Sequence, residues 1–151
     1  MKVVVFDEQK DLLIHPKSVK PIVESLLLAE NALSDEVAIY FVTVERISQV
    51  HEEFFDDPAP TDCISFPIDK PGAPGYHILG EIFICPKTGI DYLLQSKLKE
   101  QNIYLEITLY LVHGLLHLLG FDDLNEKDRK KMRAHEKKLM QRLLEEGHLL
   151  Y

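Results

Sequence analysis

Residues 103–119, IYLEITLYLVHGLLHLL, present apolar side chains nearly all the way round a helical projection. A helix with no polar face cannot lie on a surface; other parts of the chain must pack on it from several sides. This segment therefore sets the plan of the molecule as one built around a central buried helix. Its Glu106, Tyr110, His113 and His117 recur at i, i+4, i+7 and i+11, which places them on a single stripe. An imidazole among apolar neighbours must be hydrogen-bonded or coordinated, since an unpaired polar group there costs about 1–3 kcal/mol.

His113 and His117 stand one turn apart, about 6 Å along a helix axis, so two ring nitrogens can converge on one cation. Gly120 follows where a left-handed residue ends a helix without steric penalty. The chain then passes through Phe121 and Asp122 to Asp123, whose carboxylate can fold back toward the histidines. The pattern H-G-x-x-H-x-x-G-x-x-D has the spacing of the metzincin site H-E-x-x-H-x-x-G-x-x-H, with Gly114 in place of Glu and Asp123 in place of the third His. Two histidines at i, i+4 are more often satisfied core or surface residues than ligands. The apolar helix, the placement of Gly120 and the carboxylate at third-ligand spacing together favour a metal site of His113, His117 and Asp123.

Two imidazoles and one carboxylate leave a coordination position for water, the pattern of catalytic zinc. The carboxylate reduces the acidity expected of bound water, and it lets Mn2+, Ni2+ or Fe2+ compete with Zn2+. Gly114 argues against a peptidase, because the Glu that takes the proton in H-E-x-x-H is missing. A substitute base would come from Asp62, Glu81 or Asp122, unless metal-bound hydroxide acts alone.

The 151 residues are enough for one domain with its own core, and 46% hydrophobic with 28% charged residues is the balance of a soluble globule. Seventeen Lys+Arg against 25 Asp+Glu give a net charge of −8, which argues against broad non-specific nucleic-acid binding but not against a local basic patch. Short β-branched runs predict strands at 2–6, 36–44, 63–68 and 79–85. Amphipathic spacing predicts a helix at 18–33, with Ser18 as N-cap, and helical patterns predict others at 45–55, 88–98, 103–119 and 125–146. Residues 56–60 (DDPAP) and 69–75 (DKPGAPG) read as turn and loop. Cys63 and Cys85 lie in apolar runs and read as buried strand thiols rather than a disulfide or zinc ligands. The four-residue apolar run after Met1 and Lys2 is too short for a signal peptide or a spanning helix, so a cytoplasmic location without membrane contact is expected.

Residues 127–142 hold eight basic side chains against Asp128 and Glu136, fitting either RNA phosphates beside the metal or a solvated helix face. Met132, Leu139, Leu143 and Leu144 form the expected buried side of that helix. His135 is an alternative third ligand, although its place on the helix favours exposure. His15, His51, His77 and His148 read as surface residues, with His77 in a loop that can border the cleft. Ser65 lacks a G-x-S-x-G elbow and is read as a hydrogen-bonding residue rather than a nucleophile.

Residues 113–123 (HGLLHLLGFDD) resemble the YbeY family signature H-G-x-L-H-L-x-G-[FY]-D-H. Residues 61–67 (TDCISFP) resemble that family's T-[DN]-V-L-S-F-P strand, and residues 79–85 (LGEIFIC) its L-G-D-I-x-I-x strand. The resemblance covers most of the chain. It implies an α+β fold: a mixed four-stranded sheet covered by helices, zincin-like, with the histidines on the central helix. It also implies a metal-dependent, single-strand-specific endoribonuclease acting in 16S rRNA 3′-end maturation and ribosome quality control. The implied partners are single-stranded RNA and the small ribosomal subunit. His113 and His117 match the first two family ligands, whereas Asp123 stands where the family has His. Phe55 falls where the family has a functional Arg. The alternative is a ribosome-associated RNA-binding factor whose metal is structural.

Overall fold

The N-terminal β-branched run forms β1 (Lys2–Asp7), which pairs in parallel with β2 (Glu36–Phe41). β2 pairs in parallel with β4 (Ile78–Ile84), and β3 (Cys63–Pro67) closes the far edge antiparallel to β4. The sheet is thus mixed, with order β1-β2-β4-β3. The helices are α1 (Val19–Ala29), α2 (Val44–Phe55), α3 (Pro86–Gln95), α4 (Ile103–Leu118) and α5 (Glu126–Glu146). This computed structural model describes residues 1–96 and 102–151. The class is α+β, as the sequence motifs imply.

Side chains alternate across each strand. One face carries Ile82 and Cys63, which meet Gly114 of α4. The other face, with Ile64, Phe66 and Phe83, belongs to a second apolar cluster that includes Ile47 and Val50 of α2. The main core joins α1, α4, α5 and the sheet through residues such as Ile22, Leu26, Ile39, Ile82, Leu111 and Leu115. α4 packs against β3, β4, α3 and α5, which accounts for its all-round apolar sequence.

Gly114 is what lets α4 approach so closely. A Cβ at this position would meet Ile82 Cγ2 at 2.8 Å and Cys63 Sγ at 3.0 Å. The missing side chain therefore has a packing reason, and a longer one would drive into the sheet.

Several predicted boundaries shift for local reasons. α1 ends at Ala29, short of residue 33, because Asn31 takes a left-handed conformation and the Ala32 N–H bonds the Leu27 carbonyl at 2.9 Å. Ser18 is not a side-chain N-cap: it lies in a short 3-10 turn and its hydroxyl donates to the His15 carbonyl at 2.7 Å. β2 stops at Phe41 because Thr43 caps α2, accepting from the Arg46 N–H at 3.2 Å. Helix α3 starts at Pro86, two residues before the expected 88, since proline suits the first helical turn. Residues 97–98 of that expected helix lie outside the described residues. Cys85 is fully buried but sits at the N-cap of α3, one residue past β4, whereas Cys63 is a half-buried strand residue; neither is paired. Leu144 is exposed rather than part of the buried side of α5, which consists of Met132, Leu139 and Leu143. Among the described residues no helix is long and apolar enough to cross a membrane.

Candidate metal centre

His113 and His117 project from the last two turns of α4, and the turn that follows brings Asp123 back to them. α4 ends in a Schellman motif: the Phe121 N–H bonds the Leu116 carbonyl and the Gly120 N–H bonds the His117 carbonyl, both at 3.0 Å. Gly120 supplies the left-handed residue this requires, with φ +98°. Asp122 braces the return, its Oδ1 accepting from the Asp123 N–H at 2.7 Å and the Leu124 N–H at 3.1 Å.

The imidazole tautomers follow from their partners. His117 Nδ1–H donates to the Phe121 carbonyl at 3.0 Å. His113 Nδ1–H donates to a carboxylate oxygen of Glu136 on α5. Both Nδ1 atoms being donors, both Nε2 atoms carry lone pairs, and these face each other at 3.0 Å. Asp123 Oδ2 lies 3.7 Å from His113 Nε2 and 3.6 Å from His117 Nε2. Three electron-pair donors at such distances repel unless a cation or a proton lies among them. Zinc held by nitrogen and oxygen at about 2.05 Å sets its tetrahedral ligands about 3.3 Å apart, so the donor set fits such an ion. The residues His113, His117 and Asp123 can hold one metal.

Burial disfavours a charged imidazole at His113, yet the Glu136 hydrogen bond and the charges of Glu136, Asp123 and Asp62 outweigh it and hold the pKa above the ordinary value. The histidines are only half-buried, with side chains 35% and 25% exposed, because they form the floor of an open cleft rather than lie in the core. The cleft holds about 440 Å³. Its walls include Thr61, Asp62 and Ser65 from β3 and the segment before it, Asp122 and Leu124 from the α4–α5 turn, and His51 and Phe55 from α2.

The three candidate bases separate. Asp62 and Asp122 line the cleft. Asp62 also raises the pKa of Cys63, secondary to burial, and contributes to the raised pKa of Tyr110. Glu81 does not reach the site. Strand alternation turns it to the opposite face of the sheet, where it hydrogen-bonds Tyr40.

Other expectations are corrected by the tertiary structure. His77 is buried, not a surface residue: Nε2–H donates to the Lys70 carbonyl at 2.9 Å, and the Ser34 hydroxyl lies 2.8 Å from Nδ1. It lines a separate cavity of about 790 Å³ between the α1–β2 turn and the Pro- and Gly-rich loop, away from the metal cluster. His135 is half-buried rather than exposed and is not among the converging ligands; its Nδ1 pairs with Glu30 at 2.8 Å. Glu136 went unrecognised as a site residue, since linear spacing gives no sign that α5 folds back across α4. Most of the basic side chains of α5 are exposed, with Lys130 paired to Glu126 at 3.5 Å and Arg142 to Glu146 at 3.3 Å.

Comparison with known proteins places this geometry in context. The model of the family described as Endoribonuclease YbeY matches residues 5–144. A protein of Protochlamydia amoebophila named Endoribonuclease YbeY is 48% identical over 130 residues, 86% of this chain and 85% of its own length. The protein of that name from Chlamydia felis is 42% identical over 151 residues, covering 99% of this chain and 96% of its own. A solution structure from Thermotoga maritima superposes with a TM-score of 0.65 at 22% identity, over 96% of this chain and 91% of that one, and so shares the fold.

Proposed function

Since the chain belongs to the YbeY endoribonuclease family, we propose that it is a metal-dependent endoribonuclease cutting single-stranded RNA in the cleft floored by His113 and His117. The observation that carries this reading is the pair of Nε2 lone pairs 3.0 Å apart beside the Asp123 carboxylate, open to solvent at the base of a cleft. His113, His117 and Asp123 would hold the ion, with zinc preferred on the donor set and Mn2+, Ni2+ or Fe2+ as competitors. When bound, it supplies Lewis acidity to a phosphoryl oxygen and lowers the pKa of water.

The remaining chemistry falls to side chains. Glu136 and the Phe121 carbonyl fix the two imidazoles in the tautomer that points Nε2 into the cleft. Asp62, a carboxylate in the wall, is our first candidate to take a proton from the attacking water. Asp122 is the second candidate, but one of its oxygens is engaged in holding the turn. The exposed Lys127, Arg129, Lys130 and Lys131 of α5 begin just past Asp123 and offer contacts to phosphates leading out of the cleft.

We place the substrate in ribosomal RNA, at 16S 3′-end maturation and ribosome quality control on the small subunit, in the cytoplasm, with the chain acting as one catalytic domain. The support here is the family membership. A peptidase reading is disfavoured because Gly114 abuts Ile82 and Cys63, which leaves no room for the glutamate that chemistry uses.

The test is cleavage of single-stranded RNA by the purified full chain supplied with zinc or manganese. Cleavage lost in a folded His117→Ala variant is the expected result. Tight RNA binding with no cleavage in any metal form would replace the nuclease with an RNA-binding factor whose metal is structural.

A further inference from the structure

Phe55 is an expensive residue to leave in water, yet it is 56% exposed and forms part of the metal cleft wall. It closes α2, where Asp56 turns the chain away in a left-handed conformation at φ +55°. The ring is held from behind. Phe66 lies 6.5 Å away and nearly parallel at 22°, and His51 lies 5.6 Å away, tilted by 53°. Phe66 is itself wedged by Phe54 at 4.7 Å and Phe83 at 5.8 Å, and His51 is tied by its Nδ1–H to the Ala59 carbonyl at 2.8 Å. Phe55 is therefore a braced aromatic surface rather than a loose side chain. Leu124, 82% exposed and next to Asp123, adds a second apolar group to the same cleft from the α4–α5 turn.

Among the described residues that line this cleft there is no Lys or Arg, and Asp62, Asp122 and Asp123 give it negative charge. Apart from a bound cation, the wall holds no Lys or Arg side chain to attract a phosphate; the basic side chains of α5 lie outside it. Beyond the phosphate contacts that α5 offers outside the cleft, the part of a substrate that enters it gains affinity from uncharged contact. A planar heterocycle laid on a braced ring supplies this, because base–aromatic stacking needs no charge and tolerates any base.

We infer that Phe55, with Leu124 at the rim, forms a nucleobase subsite that seats the base next to the phosphate held over His113 and His117. This rests on the endoribonuclease reading and adds to it the way the chain grips its strand. The subsite favours unpaired RNA, since a base inside a duplex has both faces covered and cannot reach the ring.

The experiment uses the full chain supplied with zinc and a short single-stranded RNA carrying 2-aminopurine at successive positions. Stacking on Phe55 is expected to change the fluorescence at one position beyond the change from dilution alone, and Phe55→Ala is expected to abolish it. In cleavage, Phe55→Ala is expected to raise KM about tenfold, with a smaller effect on kcat. Phe55→Trp should keep KM low, and Phe55→Leu, which keeps bulk but no ring, should behave like Phe55→Ala. Cleavage with an unchanged KM in Phe55→Ala would overturn the subsite while leaving the nuclease intact. So would a dimer that becomes monomeric in that variant with KM unchanged, which would assign the face to a second copy. No cleavage by the unaltered chain with any metal would overturn the nuclease reading itself, and the subsite with it.

Discussion

Glu136 on α5 accepts a hydrogen bond from His113 Nδ1 on α4, across 23 residues of sequence. The carboxylate is mostly covered, with its side chain 16% exposed, and it sets which nitrogen of His113 faces the cleft. This is the carboxylate–histidine arrangement that raises ligand basicity and locks ring orientation at metal sites. Glu136→Gln and Glu136→Ala are therefore expected to weaken metal binding about 10- to 100-fold while the fold persists. Competition against a chromophoric chelator measures this; wild-type affinity in both variants would remove Glu136 from the site.

Asp123 and His117 are expected to matter at least as much as Glu136, because their own atoms converge with His113 Nε2. Asp123→Ala should retain less metal through gel filtration than the Glu136 variants, as read by elemental analysis. Equal retention with the unaltered chain would take Asp123 out of the donor set.

Metal addition is expected to stabilise the native chain, since the donor set exists only when α4 and its turn are folded. At a free zinc concentration a hundredfold above Kd the gain is about 2.7 kcal/mol, seen as a rise in Tm by differential scanning calorimetry. His117→Ala should show almost none of this rise. A rise of the same size in that variant would place the binding elsewhere.

Gly114→Ala sets helix propensity against packing. Alanine favours a helix by about 1 kcal/mol over glycine. Its Cβ would meet Ile82 Cγ2 at 2.8 Å and Cys63 Sγ at 3.0 Å, between β4 and β3, and Ile82 is fully buried. Overpacking of this kind costs about 1–3 kcal/mol, so a lower urea midpoint is expected. A higher midpoint would mean that α4 can lift off the sheet without loss.

Glu146 gives a pH dependence. The Ser25 hydroxyl hydrogen bond lowers its pKa below the ordinary glutamate value; partial desolvation opposes this, and the charge of Arg142 reinforces it. A depressed native pKa means that the unfolded chain takes up the proton first as pH falls. The stabilising contribution is therefore present above the unfolded value and is lost as pH drops through the lower native value. Urea titrations over this acid range should show a shallower pH slope for Glu146→Gln than for the unaltered chain. Equal slopes would show that the contact between α1 and α5 does not depend on this charge.

Particular residues show what could be read from the chain itself. The run from Ile103 to Leu118 announces a central helix because its composition alone excludes a surface position. Gly120 announces the end of that helix because few other residues tolerate φ +98°. The spacing of His113, His117 and Asp123 suffices because one helical turn and one capping motif fix their separation locally, with no distant contact required. Short-range geometry carried all three.

Contacts between distant segments settled the rest. Glu136 could not be distinguished from the other charges of α5 until that helix lay across α4. Glu81 looked as eligible as Asp62 until strand alternation turned it to the face of Tyr40. His77 looked like a surface residue until Ser34 and Lys70 enclosed it. Local sequence determines helix periods, caps and turns, since those depend on neighbouring dihedrals and side chains. Which face a strand shows, and which distant carboxylate meets a histidine, depends on the packing of whole elements, and only the folded chain decides it.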